Sequence, residues 1–336
     1  MAVDEAASPV DLDSEELERL MRSLEGARAA LASRIIGQES VIEEVLVGIL
    51  AEGHVLLEGP PGVGKTLLVK SVAEVLGLEF SRIQFTPDLM PADITGSTVL
   101  GYDEAGKPLI RFEPGPIFAQ LVLADEVNRA TPKTQSALLE AMQEHTVTVA
   151  SQTHVLPDPF VVLATQNPIE MEGTYKLPEA QIDRFLLKVT VPFPAKGVLD
   201  QILASHGPRL RPLERSLDTD SVRKLQGLVR TVAAASSVRS AIVELVYATQ
   251  GDARDAGIAA YVHHGISPRG AQSLLAAAKA RALLQGRLHV GMEDVARMMG
   301  PALRHRLMVN YEGQARGLTP DGVVEQLEGI VAKARA

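Results

Sequence analysis

The chain has 336 residues, more than one simple core accommodates and enough for two domains. At 46% hydrophobic and 22% charged it has the makeup of a globular protein, and with no cysteine it holds neither disulfides nor thiolate metal sites. No apolar run approaches the roughly 18 residues of a membrane span, and a net charge of −9 without tryptophan argues against general nucleic-acid binding.

Residues 1–12 read as a loose acidic tail. Met1 to Pro9 is acidic and small, unlike a signal peptide, so a cytoplasmic location is expected. Asp13 and Glu16 are spaced as a capping box, and Leu17, Leu20, Met21, Leu24, Ala27 and Leu31 form one helical stripe suited to packing on a core. The apolar pair Ile35 and Ile36 then precedes Gly37, ahead of an amphipathic helix from about Glu39 to Ala51. Such a pair can be a plain loop anchor. Ahead of a phosphate loop it also suits an adenine ring, held by apolar side chains and backbone amides. Ile35, Ile36 and Gly37 are therefore candidate nucleotide-binding residues.

The next stretch organises the chain. Gly59, Pro60, Pro61, Gly62, Val63, Gly64, Lys65 and Thr66 spell G-x-x-x-x-G-K-[ST], the phosphate-binding loop. Its glycines let backbone N–H groups turn inward on a phosphate chain. Lys65 supplies a point charge for the β and γ oxygens, and the Thr66 hydroxyl is a Mg²⁺ ligand. A short apolar strand from His54 to Glu58 precedes the loop, and a helix from Leu67 to Leu76 follows it and stops at Gly77. The helix N-terminus thus faces the anion.

A second strand is expected from Leu78 to Phe85. The stretch from Thr86 to Ile117, with five prolines, carries a hairpin signal: two short strands around Asp103 to Gly106. Leu121 to Glu126 is a buried strand that delivers two carboxylates at its end. Asp125 is placed to hold Mg²⁺ and Glu126 to polarise the attacking water. A helix from about Pro132 to His145 and a hairpin over 146–155 follow. Phe160 to Thr165 is another buried strand, with Asn167 beyond its tip as an amide able to orient the water or the γ-phosphate. After a turn-rich loop from Glu170 to Pro178 come a short helix over 180–185 and a last strand from Leu186 to Val191. Pro192-Phe-Pro194 closes this domain. Five strands with interleaved helices make a doubly wound α/β sheet the expected architecture.

Beyond Val198 no strand signal of length remains, and helical periodicity recurs near 198–206, 219–232, 238–249, 269–285, 292–299 and 321–334. Ser267 is the candidate N-cap of the strongest of these helices, with Pro268 at its first position. Arg269 falls in the first turn, where a cation opposes the helix dipole at a cost of a few tenths to about 1 kcal/mol. An anion facing it would offset that cost.

Taken together, these residues resemble the MoxR family of AAA+ ATPases from about Arg34 to the C-terminus. Gly59 to Thr66 resembles its Walker A, Leu121 to Glu126 its Walker B, and Thr165 to Pro168 its sensor 1. Leu177 to Phe185 resembles the segment with the arginine finger, at Arg184, and Ser267 to Arg269 its sensor 2. The hairpin in 86–117 resembles the helix-2 insert, and that at 146–155 the pre-sensor-1 hairpin. Leu303-Arg-His-Arg-Leu307 is similar to a family feature near the C-terminus.

The resemblance implies a five-stranded parallel AAA+ core over 34–194 and an all-α lid over 195–336, after an N-terminal tail and helix over 1–33. It implies ATP and Mg²⁺ as cofactors, with Leu67 also at the nucleotide. It implies chaperone-like remodelling or maturation of partner proteins, such as cofactor or metal insertion. It also implies a homo-oligomer, a hexameric ring, and a partner with a von Willebrand factor A domain. Arg184 is expected to act on a neighbouring subunit, with Arg129 as its rival, and Arg269 to close the lid over the nucleotide. The alternatives are a DNA-acting motor, a magnesium-chelatase-like subunit and a non-hydrolysing scaffold; the Asp125-Glu126 pair speaks against the last. Thr249-Gln250 and His263-His264 depart from the family pattern outside its motifs.

Overall fold

The computed structural model describes residues 13–102, 107–168, 174–175, 177–204, 212–250 and 257–333. The expected tail at 1–12, the hairpin tip at 103–106, most of the loop at 170–178 and the helix ends at 205–206 and 334 lie outside the described residues.

Helix α1 (Ser14–Arg34) begins where its cap dictates. Asp13 Oδ1 accepts from Glu16 N at 2.7 Å, and Leu20, Leu24, Ala27 and Leu31 bury one stripe. Next come α2 (Glu39–Leu50), β1 (Val55–Glu58) and α3 (Lys65–Leu76), which starts at left-handed Gly64 and stops at left-handed Gly77. β2 (Phe80–Gln84) leads through α4 (Pro91–Thr95) into an antiparallel hairpin of β3 (Gly96–Tyr102) and β4 (Pro108–Pro114). β5 (Leu121–Asp125) is buried throughout. α5 (Pro132–Glu144) carries the chain into a second hairpin, β6 (Thr146–Val149) and β7 (Gln152–Val155). β8 (Val161–Gln166), α6 (Glu179–Ile182) and β9 (Leu187–Thr190) complete the core.

β2, β5, β8, β1 and β9 lie side by side in that order, all parallel. Side chains alternate along a strand, so the register sorts residues into two cores. Leu123, Leu163, Val55 and Leu187 form one row and face α1, α2, α3 and the helical domain. Ala124, Ala164 and Leu56 form the next row and face α5. Helices on both faces are why these strands read as unbroken aliphatic runs rather than alternating ones.

The helical part comprises α7 (Lys196–Ala204), α8 (Thr219–Thr231), α9 (Ser236–Ala248), β10 (Val262–His264), α10 (Pro268–Leu284), α11 (Met292–Leu303), β11 (Met308–Val309), α12 (Tyr311–Ala315) and α13 (Pro320–Lys333). Ser267 caps α10 as expected, its Oγ accepting from Gly270 N at 3.1 Å. The antiparallel ribbon of β10 and β11 is an addition to the all-helical expectation, too short to show periodicity. This part does not hang free. Leu274 and Met298 share a core with Leu57 of β1. Arg281 on α10 donates to Glu43 on α2 at 3.1 Å and to fully buried Asp294 on α11 at 2.6 Å.

The two hairpins touch through Phe112 of β4, whose ring stacks on His154 of β7 at 3.8 Å and 17°. Leu100, Leu109 and Ile110 remain exposed on the first. No helix among the described residues is long and apolar enough to cross a membrane.

Candidate nucleotide site

β1, β5 and β8 are neighbours and run parallel, so their carboxyl ends bring three sequence-distant segments to one edge. The cleft there has a volume of about 330 Å³ and is lined by residues 61–67, Asp125, Glu126, Thr165 and Asn167. Lys65, Thr66, Asp125, Glu126 and Asn167 are thus brought together as the sequence suggested.

The phosphate loop has the backbone its glycines permit. Gly62 and Gly64 stand at φ of 79° and 91°, where a side chain is strained whatever the space around it. Gly59 is required for another reason: a Cβ there would lie 2.3 Å from the Val191 carbonyl oxygen after β9. The Lys65 ammonium donates to the carbonyls of Gly59 and Pro60, the loop's own oxygens. Burial pulls its pKa below the usual lysine value, while Asp125, Glu126 and Glu58 act in the opposite sense.

Around the acidic pair, one hydroxyl does two jobs. Thr165 Oγ1 donates to Asp125 Oδ1 at 2.6 Å and accepts from Glu126 N at 2.8 Å. Asp125 Oδ2 accepts from Arg82 Nη2 at 2.6 Å and Nε at 3.1 Å. Glu126 Oε2 accepts from Arg129 Nη1 at 2.6 Å and Gln84 Nε2 at 3.3 Å. The Glu126 backbone is left-handed, φ 57° and ψ 48°, a strained state for a residue with a Cβ and one typical of functional turns. Sequence reasoning missed Arg82, Gln84 and the separate role of Thr165. The first two had a signal: two residues apart on β2, they share a face and register beside β5. A buried carboxylate and the Thr66 hydroxyl on one cleft form a hard-oxygen donor set that fits Mg²⁺.

At the expected base site, Ile35 is buried and Gly37 is left-handed at φ 72°. A Cβ on Gly37 would come within 2.6 Å of Val198 on α7, and Gln38 Nε2 donates to the Val63 carbonyl at 3.0 Å. The Ile35–Gly37 turn is therefore tied to the phosphate loop on one side and roofed by α7 on the other.

Arg184 and Arg269 do not join this cleft. They line another, of about 340 Å³, with Glu52, His54, His145 and Arg306. Leu186 N donates to the His54 carbonyl at 2.8 Å, and Leu187 registers with Val55, so this cleft opens at the amino edge of the sheet. A four-residue strand, about 13 Å at 3.3 Å per residue, separates it from the phosphate loop. Arg269, expected to close the lid over the nucleotide, therefore lies away from the phosphate loop of its own subunit. The first turn of α10 is held at the other edge. The helix expected over 180–185 also ends early, at Ile182: Arg184 and Phe185 donate three residues back, to Gln181 and Ile182, and the carbonyls of Asp183, Phe185 and Leu186 accept from Arg306. Arg184 Nη1 donates to the Leu139 carbonyl at 2.7 Å. Buried His54 donates from Nε2 to the Met142 carbonyl at 2.9 Å and accepts at Nδ1 from Val162 N at 3.0 Å. Its burial lowers its pKa to about 4. His263 and His264 are exposed on β10, and no group of three potential ligands among the described residues is placed to hold a metal ion.

Comparison with known proteins agrees with this geometry. Residues 54–187 match the family model "ATPase family associated with various cellular activities (AAA)", and residues 254–327 match the AAA lid domain. The chain is 40% identical to Chaperone MoxR1 of Mycobacterium tuberculosis over 95% of its own length and 84% of that protein's. It is 34% identical to Protein MoxR of Paracoccus denitrificans, over 88% and 91%. A crystal structure of a Cytophaga hutchinsonii protein assigned as an ATPase superposes with a TM-score of 0.85 at 37% identity, covering 94% of this chain and 96% of that one.

Proposed function

The chain belongs to the MoxR family of AAA+ ATPases, and on that premise we propose that it hydrolyses ATP within a homo-oligomeric ring to remodel or mature partner proteins. The observation that carries the chemistry is the single cleft shared by Lys65, Thr66, Asp125, Glu126 and Asn167.

In this reading the inward N–H groups of residues 62–67 and the Lys65 ammonium bind the phosphate chain, with Gly59, Pro60 and Pro61 shaping the start of the loop. Lys65 exchanges the Gly59 and Pro60 carbonyls for phosphate oxygens. Thr66 and Asp125 would hold Mg²⁺, which would supply charge neutralisation along the phosphate chain. Glu126 polarises the attacking water and Asn167 orients it. Ile35, Ile36 and Gly37 seat the base. Arg184 and Arg269, on the far edge, meet the nucleotide of an adjacent copy in a hexameric ring. A heterologous, head-to-tail contact presents this edge of one subunit to the cleft of the next. The domain limits that fit are 1–33, 34–194 and 195–336. The exposed Leu100, Leu109 and Ile110 favour a protein client over nucleic acid. The word chaperone in the name of the Mycobacterium relative agrees with such a client, and a protein with a von Willebrand factor A domain is the proposed partner.

Two variants test the chemistry. Lys65→Ala should lose binding of a fluorescent ATP analogue. Glu126→Gln should keep that binding while turnover falls by about 10²–10⁴-fold. Unchanged binding by Lys65→Ala would overturn the phosphate-site reading. Held in ATP, Glu126→Gln should retain its client in a pull-down, and repeated recovery of DNA in place of protein would replace the remodelling reading with a DNA motor.

A further inference from the structure

The Arg304-His305-Arg306 run takes no part in the nucleotide cleft, yet all three side chains reach the same segment. Arg304 Nη1 donates to Thr190 Oγ1 at 2.7 Å, and the His305 ring nitrogen Nε2 donates to the Phe185 carbonyl at 3.0 Å. Arg306 goes further. Its Nε donates to Asp183 Oδ1 at 2.6 Å, and its Nη2 to the carbonyls of Asp183 at 3.0 Å and Phe185 at 2.8 Å and to Ser273 Oγ at 3.0 Å. Its Nη1 donates to the Leu186 carbonyl at 3.1 Å and to the Ala302 carbonyl.

The Arg306 side chain is 2% exposed. A guanidinium so far from water is tolerated only when its charge is paired and its five N–H groups are satisfied in a fixed fork. Here every nitrogen has a partner, and those partners lie in three places. Residues 183–186 form the turn that bears Arg184. Ser273 stands one helical turn beyond Arg269 on α10. Ala302 belongs to α11. One side chain thus joins the core arginine, the lid arginine and the helix behind them.

We propose that Arg306 is a positioning residue that locks Arg184 and Arg269 into one rigid pair, so that a neighbouring nucleotide receives both arginines or neither. This rests on the reading that those arginines act on an adjacent copy. The lid then does not swing as an independent flap; it moves with the edge of the sheet to which Arg304, His305 and Arg306 fasten it.

The test uses Arg306→Lys in the full chain, which keeps the charge but loses the fork. ATP binding and ring assembly should match the unmodified protein, while kcat falls by about 10²-fold, the cost of an ångström-scale misplacement. In an Arg184→Ala, Arg269→Ala background the same change should lower the residual kcat by less than about 2-fold, since both groups it acts through are already removed. Mixed rings add a readout that a stabilising role would not move. Arg306→Lys subunits should regain activity alongside Glu126→Gln subunits, whose arginines are intact. Should Arg306→Lys not fold, Asp183→Asn, which weakens the same clamp from the other side, carries the identical set of measurements. Unchanged kcat in Arg306→Lys, equal losses with and without the two arginines, or no recovery in mixed rings overturns the proposal alone. Full activity of Arg184→Ala would overturn both the proposal and the reading beneath it.

Discussion

Removing the Arg184 side chain separates two scales of energy. Locally, Arg184→Ala forfeits one charge-assisted hydrogen bond to the Leu139 carbonyl at a half-buried position, on the order of 1 to 2 kcal/mol, and the fold should survive. Its own phosphate loop lies a full strand length away, so the subunit's own chemistry should not register the loss directly. If the side chain instead completes a neighbour's site, the loss is that of an arginine finger, about 10³–10⁵ in rate or roughly 4–7 kcal/mol of barrier. Steady-state ATPase, nucleotide affinity and ring mass measured together distinguish these. The expected result is normal affinity and mass with almost no turnover. Mixing then fixes the direction. An Arg184→Ala subunit keeps Glu126, and a Glu126→Gln subunit keeps Arg184. In a head-to-tail ring roughly a quarter of junctions become productive at equal mixing, and fewer on either side. A bell-shaped recovery against mixing ratio is the expected signature. A flat line in rings shown to be mixed, or full activity of Arg184→Ala by itself, refutes the reasoning.

Other outcomes follow from single contacts. His54 is held neutral with a pKa of about 4, below its unfolded value of 6.5, so the unfolded chain takes up the proton first. Its contribution to stability is complete above pH 6.5 and lost as pH falls towards 4, roughly 3 kcal/mol in all. Denaturant titrations across that window should therefore show a shallower pH dependence in His54→Gln, and an unchanged slope would argue against the assignment. Gly59→Ala should weaken ATP binding and lower Tm, because its Cβ meets the Val191 carbonyl, an overpacking cost of about 1–3 kcal/mol; calorimetry with and without nucleotide reads both. Arg82→Ala frees an oxygen of Asp125, so half-maximal ATPase should need several-fold less Mg²⁺. A higher Mg²⁺ requirement would instead make Arg82 a support for that carboxylate.

What the sequence made legible was local. The phosphate loop declares itself because its turns need Gly62 and Gly64, and β5 because a wholly buried strand ends in two carboxylates. Helices such as α1 and α10 declare their caps in Asp13 and Ser267. What stayed hidden depended on pairing between distant segments. The order of the sheet decides which edge a residue occupies, and so places Arg184 and Arg269 together and away from Lys65. Nothing near Arg306 in the chain announces Asp183, 123 positions earlier, as its counter-ion. The ribbon of β10 and β11 and the single turn of α12 are too brief to carry a period.

The stack of Phe112 on His154 sets how firmly two prongs are geared together. One prong carries the exposed, greasy side chains of Leu100 and Ile110. The other is the direct continuation of α5, a rod of 13 residues and about 20 Å that starts just past the Glu126–Arg129 pair. A ring stack is worth about 0.5–1.5 kcal/mol, and Phe118 adds edge contacts to both of its rings. That is the stiffness of a clutch and not of a weld.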